Sequence, residues 1–533
     1  MTEQNEHNSP QKGVNSVSAA PVEAAAPSVA STGRRFTLMH VVVLMNLLML
    51  SGFGTFAVVM FQRLQQGDAL GQINIVASDT AENTKTMTET GKISDLPDRN
   101  VTSSLDPEVA KEASVSLETA RYYYQRSDYS KAYYVYHQLH ESITGGELKQ
   151  QCLRDWLTLR MALCLQFDQS PESASNHFTQ ALQSRSLYVR TMANYSLMLI
   201  QHENQQFLEA RRRAYQVLGV MSAVKKYMPK TLEADCYFAA AESLTSHIQS
   251  LSNLDPQFPG QNWTRSRLHF DCEIDDQRQL AEMLMTGVEE SGQAVLSPCV
   301  EYYPNRSVGS QWTGISLDAP LEQLFWRIAS EADLVVSWDS QAQQLRRSGT
   351  TLYLPFVNRQ YLLEVVAGGA GLVWHYDGQV GTIYDPVNYD DFQTCQKILC
   401  QEAISAWQQF LIRYRSDTRI ANAHYALGQL YQISEDPATA LGHYKLMYSQ
   451  FNRDELAPYA LLNASKIKSQ LQDYTGARED LNELLIHYPN FKVIGEALLY
   501  MAEASMNCGL FEEAAHIYER AYRMDITPEV RLS

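Results

Sequence analysis

The sequence predicts a mainly α protein: two α-solenoid arrays of stacked helix pairs, a small α/β domain between them, and a single N-terminal transmembrane helix. Three observations lead to this fold class. Alanines recur every 37 residues towards the C terminus, 27 consecutive residues near the N terminus carry no formal charge, and the apolar pattern changes from helical to strand-like in between. A repeat of that length is typical of helix pairs that stack, because one pair cannot bury its apolar face alone.

The first 112 residues are predicted to place the chain in a membrane. Residues 1–35 are rich in Ala, Ser, Pro and Gln, which predicts a disordered cytoplasmic tail. Residues 36–62 form the uncharged run and are long enough to cross a hydrocarbon core of about 30 Å. Residues 63–112, dominated by Thr, Asp, Ser and Glu, are predicted to be a flexible linker.

The charges beside the uncharged run predict its orientation. Arg34 and Arg35 precede it, whereas only Arg63 follows closely. Because positively charged flanks stay in the cytoplasm, we expect a single-pass protein of the inner (cytoplasmic) membrane, with most of the chain in the periplasm or an equivalent exterior space. The alternative is a cleaved signal peptide, but the apolar run is longer than a usual signal core and no small-x-small site ends it.

The alanine spacing predicts a C-terminal array over residues 391–533. Each alanine is followed four residues later by a bulky side chain, so a small and a large residue share one face of a helix. The methyl group lets two helices approach to about 8 to 10 Å, and the bulky side chain fills the groove beside the next pair. The alanines are Ala403, Ala440, Ala477 and Ala514, and the bulky residues are Trp407, Tyr444, Leu481 and Tyr518.

A second, more degenerate helical array is predicted for residues 113–250. Ala132, Ala174 and Ala210 begin similar patterns, at gaps of 42 and 36 residues. We expect the alanines at 239–241 to lie on a capping helix at the end of this array. An ordinary helical bundle with a coincidental alanine pattern is the alternative for this half.

One repeat unit of the C-terminal array carries the most complete pattern. Leu427, Gly428 and Tyr431 lie on its first helix, and Ala440 and Tyr444 lie on its second. At these positions the chain resembles the tetratricopeptide repeat (TPR) family, and the earlier array resembles it more loosely. The resemblance implies a curved array of helix hairpins that binds partner proteins along its concave surface.

Residues 255–390 are predicted to form an α/β insert. From Gly314 the order is strand, helix, two strands, helix and a closing hairpin with Asp377 and Gly378 at its turn. This order resembles the short N-terminal (STN) domain that precedes secretin pores and some TonB-dependent receptors, over about residues 314–388. The resemblance implies a periplasmic module for protein contacts, and an unrelated small α/β insert is the alternative. The predicted strands are 315–317, 334–338, 351–354, 372–376 and 380–384.

Charge and cysteine usage argue against several functions. The formal net charge of −17 opposes binding to a nucleic-acid backbone. The eight cysteines include no Cys-x-x-Cys pair, so neither a zinc ribbon nor a thioredoxin-like site is indicated. The sequence allows, but does not require, a disulfide between Cys272 and Cys299 in an oxidising compartment. We therefore expect no nucleic-acid partner, no metal and no cofactor.

Common catalytic motifs are missing from the sequence. The chain has no His-Glu-x-x-His helix, no Gly-x-Ser-x-Gly elbow and no phosphate-binding loop ending in Lys and Ser or Thr. We therefore expect no enzymatic activity. The alternative is an envelope enzyme, such as a cell-wall hydrolase, with TPR targeting arms and a site in residues 255–390. It requires Asp339, His375 and Asp377 to converge in one pocket.

These expectations together describe a membrane-anchored scaffold for protein–protein interactions. Its partners would be proteins of the cell envelope, and an accessory role in a secretion, pilus or cell-wall assembly machine fits. The sequence predicts no oligomeric state. Exposed side chains on first helices are the predicted contacts with a partner segment. They are His424, Gln429, Tyr459, Asn463 and Lys466.

Overall fold

The computed structural model describes residues 115–168, 170–251, 277–286, 298–304, 311–388, 391–492 and 494–524. In this part the predicted mainly α fold is confirmed. The helices are α1 Leu117–Gln125, α2 Tyr129–Ser142, α3 Leu148–Phe167, α4 Pro171–Ala181, α5 Leu187–Glu203, α6 Phe207–Val224, α7 Leu232–Leu251, α8 Gln277–Met285, α9 Leu321–Ala332, α10 Arg359–Gly369, α11 Phe392–Arg413, α12 Ile420–Ile433, α13 Pro437–Gln450, α14 Ala457–Gln470, α15 Tyr474–His487, α16 Ile494–Asn507 and α17 Phe511–Arg523. Seven stacked pairs follow from their packing: α1/α2, α3/α4, α5/α6, α7/α11, α12/α13, α14/α15 and α16/α17.

Short turns close most of these pairs. In six of the seven pairs of the described residues, three residues separate the two helices. An aspartate ends several of the turns: Asp128, Asp436 and Asp473 each accept a hydrogen bond from the backbone N–H three residues later and so begin the second helix. A left-handed residue in the middle of the turn reverses the chain within this length. These middle residues are Ser127, Gln205, Glu435, Gln472 and Gly509, with φ between 59° and 79°.

The fourth pair, α7 and α11, is closed differently, because residues 252–391 lie between its helices. Phe238 of α7 packs edge-to-face on Trp407 of α11, with ring centroids 5.2 Å apart. Trp407 Nε1 also donates a hydrogen bond to Thr245 Oγ1, at 2.9 Å. The insert therefore takes the place of a hairpin turn, and the two predicted arrays form one continuous series of pairs. The alanines at 239–241 lie in the middle of this series, so their assignment to a capping helix is wrong.

The seven alanines of the repeat pattern are all buried, as the spacing predicts. The residue one turn later is buried too, except Tyr518, which is 39% exposed. Tyr518 lies on α17, the last described helix, so no later pair within the described residues covers it. The prediction of stacked helix pairs is therefore confirmed for the described part of both halves. The alanines, each with no exposed surface, are Ala132, Ala174, Ala210, Ala403, Ala440, Ala477 and Ala514.

Gly428 lies at a close approach of α12 and α13. A methyl group added there would lie 2.5 Å from Cε1 of Tyr444. We predict that Gly428→Ala lowers the free energy of unfolding by about 1 to 3 kcal/mol, because the Tyr444 ring must be displaced. Gly442→Ala is the matched control: among the described residues its methyl group meets nothing within 4 Å beyond its own helix, and the change should stabilise by roughly 0.5 to 1 kcal/mol. Urea unfolding followed by circular dichroism compares them, and equal effects would contradict the close packing.

A small α/β module lies within the insert, between residues 299 and 384. Its strands are β1 Cys299–Tyr303, β2 Gln311–Pro320, β3 Val335–Trp338, β4 Gly349–Val357, β5 Val373–Tyr376 and β6 Val380–Tyr384. They form two three-stranded sheets in the described residues, in the orders β1–β2–β4 and β3–β6–β5. The first sheet is antiparallel, whereas β3 runs parallel to β6 in the second. The strands predicted from 315 to 384 are all present, and β1 extends the first sheet.

The α/β module packs on α6 and α11, which are the second helices of adjacent pairs. Tyr361 of α10 stacks on Tyr237 of α7, with ring centroids 5.6 Å apart. One buried apolar cluster runs from Ala120 through the module to Leu430. The module is therefore part of the core of the array rather than a tethered appendage.

The predicted tail, membrane helix and linker, residues 1–35, 36–62 and 63–112, lie outside the described residues, as does Cys272. Among the described helices, none combines the length and the apolar character that crossing a bilayer requires. Cys299 carries an exposed free thiol. The membrane segment therefore stays a prediction from the sequence.

Candidate protein-binding surface

The first helices of the pairs form a continuous layer from α3 to α16, which we call the first-helix layer. In it α3 packs on α5, α5 on α7, α7 on α12, and α14 on α16. Asn463 of α14 donates a hydrogen bond to Tyr425 Oη of α12, at 3.1 Å, which joins these two first helices. Stacked hairpins offer such a layer to long partner segments.

One helix of the insert already lies on the first-helix layer. α8 packs against α3 and α5 and buries Leu280, Met283 and Leu284. Their spacing of i, i+3 and i+4 gives α8 one apolar face. Arg278 and Glu282 are exposed to solvent. The layer therefore buries the apolar face of an amphipathic helix. Docking of such a helix on an apolar surface is one of the recurring modes of peptide recognition.

Polar contacts join α8 to the residues that follow α6. Glu282 accepts hydrogen bonds from Lys226 Nζ at 2.9 Å and from Tyr227 Oη at 2.8 Å. The hydrogen bond from Lys226 holds the pKa of Glu282 below its usual value. Because the charged partners are both largely exposed, their ion pair adds little to stability. The apolar face therefore supplies most of the docking energy, up to about 1.5 to 3 kcal/mol for each fully buried side chain.

The five predicted contact residues lie on the C-terminal half of the first-helix layer, but all five are half-buried. Gln429 Oε1 accepts a hydrogen bond from Gln249 of α7, at 3.1 Å. Lys466 forms an ion pair with Glu496 of α16, at 2.6 Å. Together with the bond from Asn463, these contacts connect four neighbouring first helices. The expectation of exposed side chains is therefore wrong, and their role as partner contacts stays a prediction.

The other two predicted residues make ring contacts. Tyr459 packs edge-to-face on Phe491, with centroids 4.5 Å apart. His424 faces the second helix of its own pair, with its Nδ1 atom 3.1 Å from Nδ1 of His443. Burial lowers the pKa of His424, and burial together with the nearby His424 lowers the pKa of His443 to about 4. Both rings are therefore neutral near pH 7, and the Nδ1–H of one donates a hydrogen bond to Nδ1 of the other.

The enzyme alternative requires Asp339, His375 and Asp377 in one pocket, but Asp339 lies at the opposite end of the second sheet from Asp377. Backbone hydrogen bonds lower the pKa of the Asp377 carboxyl, and His375 on β5 is near enough to lower it further. β3 and β6 run parallel with Trp338 opposite Ile383, so Asp339 follows the far end of the sheet. Asp377 lies in the turn before β6, at the opposite end, where its carboxylate accepts two backbone hydrogen bonds. The three residues therefore do not converge. Among the residues that the structure describes, no three His, Cys, Asp or Glu side chains are grouped as ligands of a metal ion.

A buried charged network joins the α/β module to the array, and sequence reasoning missed it. Arg211 of α6 forms a bidentate ion pair with Glu402 of α11, with both N–O distances at 2.8 Å. Tyr215 Oη donates to the same carboxylate, also at 2.8 Å. Glu364 of α10 is close to this pair, and burial raises its pKa to about 7. The signal for the network in the sequence is the run of three arginines at 211–213.

Comparison with known proteins gives only distant likenesses. No protein-family model and no curated protein sequence matches this chain. Two of the solved structures that align with it each cover 78% of the chain. One, a Rap protein complexed with competence and sporulation factor, is 13% identical, with 96% of that chain covered and a TM-score of 0.20. The other, the APC/C hetero-tetramer Cut9–Hcn1, is 9% identical, with 88% of that chain covered and a TM-score of 0.15.

TM-scores this low do not establish a shared fold, so the fold assignment rests on the geometry of the helix pairs. The array is TPR-like. Six of its seven described pairs repeat a three-residue turn, and each second helix carries a fully buried alanine. The comparisons give no support to the resemblance between the α/β module and the STN domain.

Proposed function

We propose that this protein is a non-enzymatic scaffold whose TPR-like array binds a segment of a partner protein along the first-helix layer. One observation carries the proposal: α8 packs its apolar face onto α3 and α5 of that layer. A surface that buries an amphipathic helix of its own chain has the shape and the apolar character to bind one from another protein. The layer continues past α7 through α12, α14 and α16, and this continuation is the proposed partner site.

We further propose that the scaffold is anchored in the inner membrane through residues 36–62 and acts in the cell envelope. The uncharged run and the arginines that precede it support a single-pass anchor, with the array on the exterior side. The α/β module then adds a second surface for protein contacts, in line with its resemblance to STN domains. An accessory role in a secretion, pilus or cell-wall assembly machine fits this arrangement.

Site-specific photocrosslinking of the full-length protein in intact cells tests the binding surface. A photoreactive phenylalanine derivative replaces Tyr459 on the first-helix layer or, as the matched control, Tyr522 on α17. Tyr522 is far more exposed, at 79%, so random collisions favour it. We nevertheless expect a discrete crosslinked complex from position 459 and none from position 522. Equal crosslinking from both positions, or none from 459, would contradict the proposed surface.

The same photocrosslinking in a chain without residues 36–62 tests the anchor. We expect this variant to move from the membrane fraction to the soluble fraction and to lose the crosslink from position 459, because the partner belongs to the envelope. A variant that stays in the membrane fraction would show that another segment holds the protein there. The anchoring part of the proposal would then be wrong, whatever the crosslinks show.

A further inference from the structure

A polar cavity lies where the α/β module meets the third helix pair. It has a volume of about 180 Å³ and is bounded by α5 and α6 on one side and by β4 and α10 on the other. Arg190 and Arg213 line it from the array, and Thr351 and Gly369 line it from the module. The proposed binding of a partner on the first-helix layer leaves this cavity unexplained.

The two arginines in the cavity have neutral hydrogen-bond partners. Arg190 Nη2 donates to Thr351 Oγ1, at 3.1 Å. Arg213 Nη1 donates to Asn194 Oδ1 at 3.2 Å and to Gln216 Oε1 at 3.1 Å. Within the described parts of the chain, neither guanidinium forms an ion pair with a carboxylate. Two positive charges therefore share one cavity without a charged partner there.

The nearest acidic residues do not neutralise these charges. Asp318 attracts Arg190, and Glu209 attracts Arg213, but both carboxylates are exposed to solvent. Glu209 pairs with Arg212 instead, at 3.6 Å. Burial therefore dominates and lowers the pKa of both Arg190 and Arg213.

One nitrogen of the Arg213 guanidinium, Nε, is buried and lacks a hydrogen-bond partner among the described residues. Neighbouring Arg211 also has one such nitrogen, Nη1, but it has an anionic partner. Burial acts to lower the pKa of Arg211, and the attraction and hydrogen bonds of Glu402 together with the attraction of Tyr215 and Glu364 outweigh it and raise the pKa. A buried cation is costly unless an anion pairs with it, and the guanidinium fork matches the oxygens of carboxylate and phosphate groups. The cavity therefore has the donor set of an oxyanion site.

We propose that this cavity binds the phosphate or carboxylate group of a small anionic molecule, with Arg190 and Arg213 as its charged ligands and Asn194 and Thr351 as neutral ones. The volume of about 180 Å³ is below the range of drug-sized ligand pockets. The ligand is therefore small. Because the arginines belong to the array and Thr351 belongs to the module, a bound anion stabilises the docked arrangement of the two.

Calorimetric titration of the full-length protein in detergent tests the site. Inorganic phosphate is the first probe, succinate is the carboxylate probe, and sodium chloride at matched ionic strength is the control. We expect saturable binding of at least one oxyanion and none of chloride; the probe that binds identifies the group. Arg190→Met and Arg213→Met should each weaken binding by at least roughly tenfold, because a charged hydrogen-bond donor is lost. Arg212→Met, which removes an arginine outside the cavity, should leave the affinity unchanged.

Urea unfolding without added anion separates a ligand site from structural arginines. Arg213→Met should be at least as stable as the wild type, because it removes a half-buried charge that has no ionic partner among the described residues. An arginine that only held the fold together would be costly to remove. Failure of both oxyanions to bind saturably, equal binding by the wild type and both cavity variants, or strong destabilisation by Arg213→Met would each overturn the proposal.

Discussion

Replacing Arg211 with methionine is expected to lower the free energy of unfolding by about 3 to 5 kcal/mol, because the carboxylate of Glu402 is then buried without its ionic partner. Both side chains are almost fully buried. Arg211 Nη2 also donates to the backbone oxygen of Leu372 in the α/β module, at 2.8 Å. One substitution therefore breaks a contact that α6, α11 and the module share.

Arg212→Met is the matched control for this prediction. Arg212 is 38% exposed and pairs with the exposed Glu209, so we expect a loss below about 1 kcal/mol. Urea unfolding followed by circular dichroism compares the two variants. Adding Glu402→Gln to Arg211→Met should recover part of the loss, since it removes the unpaired charge. Equal losses in the two arginine variants would show that the buried pair does not secure the module.

Trp407→Ala is expected to lower the free energy of unfolding by about 3 to 5 kcal/mol, because it leaves a large cavity between α7 and α11. Trp407 has no exposed surface and lies against Phe238 and Phe410, at centroid distances of 5.2 Å and 6.0 Å. The change also removes the hydrogen bond to Thr245 Oγ1. The loss falls on the pair that joins the two halves of the array.

The control for this position is Trp326→Ala, because Trp326 on α9 is 65% exposed. We expect it to change the stability by no more than about 0.5 kcal/mol. Stacked pairs are stabilised mainly by their nearest neighbours, so weakening the α7–α11 contact should divide the unfolding of the array into two transitions. Calorimetry measures the number of transitions. If Trp407→Ala unfolded in a single transition with the midpoint temperature of the wild type, the contact between α7 and α11 would not be important for stability.

The helix pairs could be predicted from the sequence because their contacts are local. A small side chain must lie where two helices cross closely, so the spacing of Ala440 and Ala477 indicated both the helices and their buried faces. The strands of the α/β module could be predicted for the same reason, since alternation and the Asp377-Gly378 turn are properties of a few consecutive residues.

The pairing of α7 with α11 could not be predicted in this way. A helix that is buried all round shows no apolar face in its sequence, and α7 buries even Asp235 and Glu242. Asp235 pairs with Arg419, which lies beyond the far end of α11. No local pattern connects these residues, so the sequence predicts the alanines of α7 at the end of an array rather than at its centre.

The site residues show a related limit of periodicity. A helical pattern identifies the face on which a side chain lies, but not which residues it meets on the neighbouring unit. Gln429 and Lys466 are long enough to reach the next first helix, and they are therefore half-buried. Arg190 and Arg213 form part of one cavity only because β4 and α10 pack over α5 and α6. No local pattern in the sequence predicts how the module packs on α5 and α6.

The long insert in place of the fourth turn gives the chain two kinds of folding step. Six pairs join helices that are neighbours in sequence, and such low-contact-order hairpins form fast. α7 and α11 must instead meet across residues 252–391. Each doubling of a flexible loop costs about 0.6 kcal/mol, so this closure costs about 3 kcal/mol more than closing a three-residue turn. We therefore expect the helices before the insert (α1–α7) and those after it (α11–α17) to fold independently. They should join last, once the folded module has brought positions 251 and 392 together.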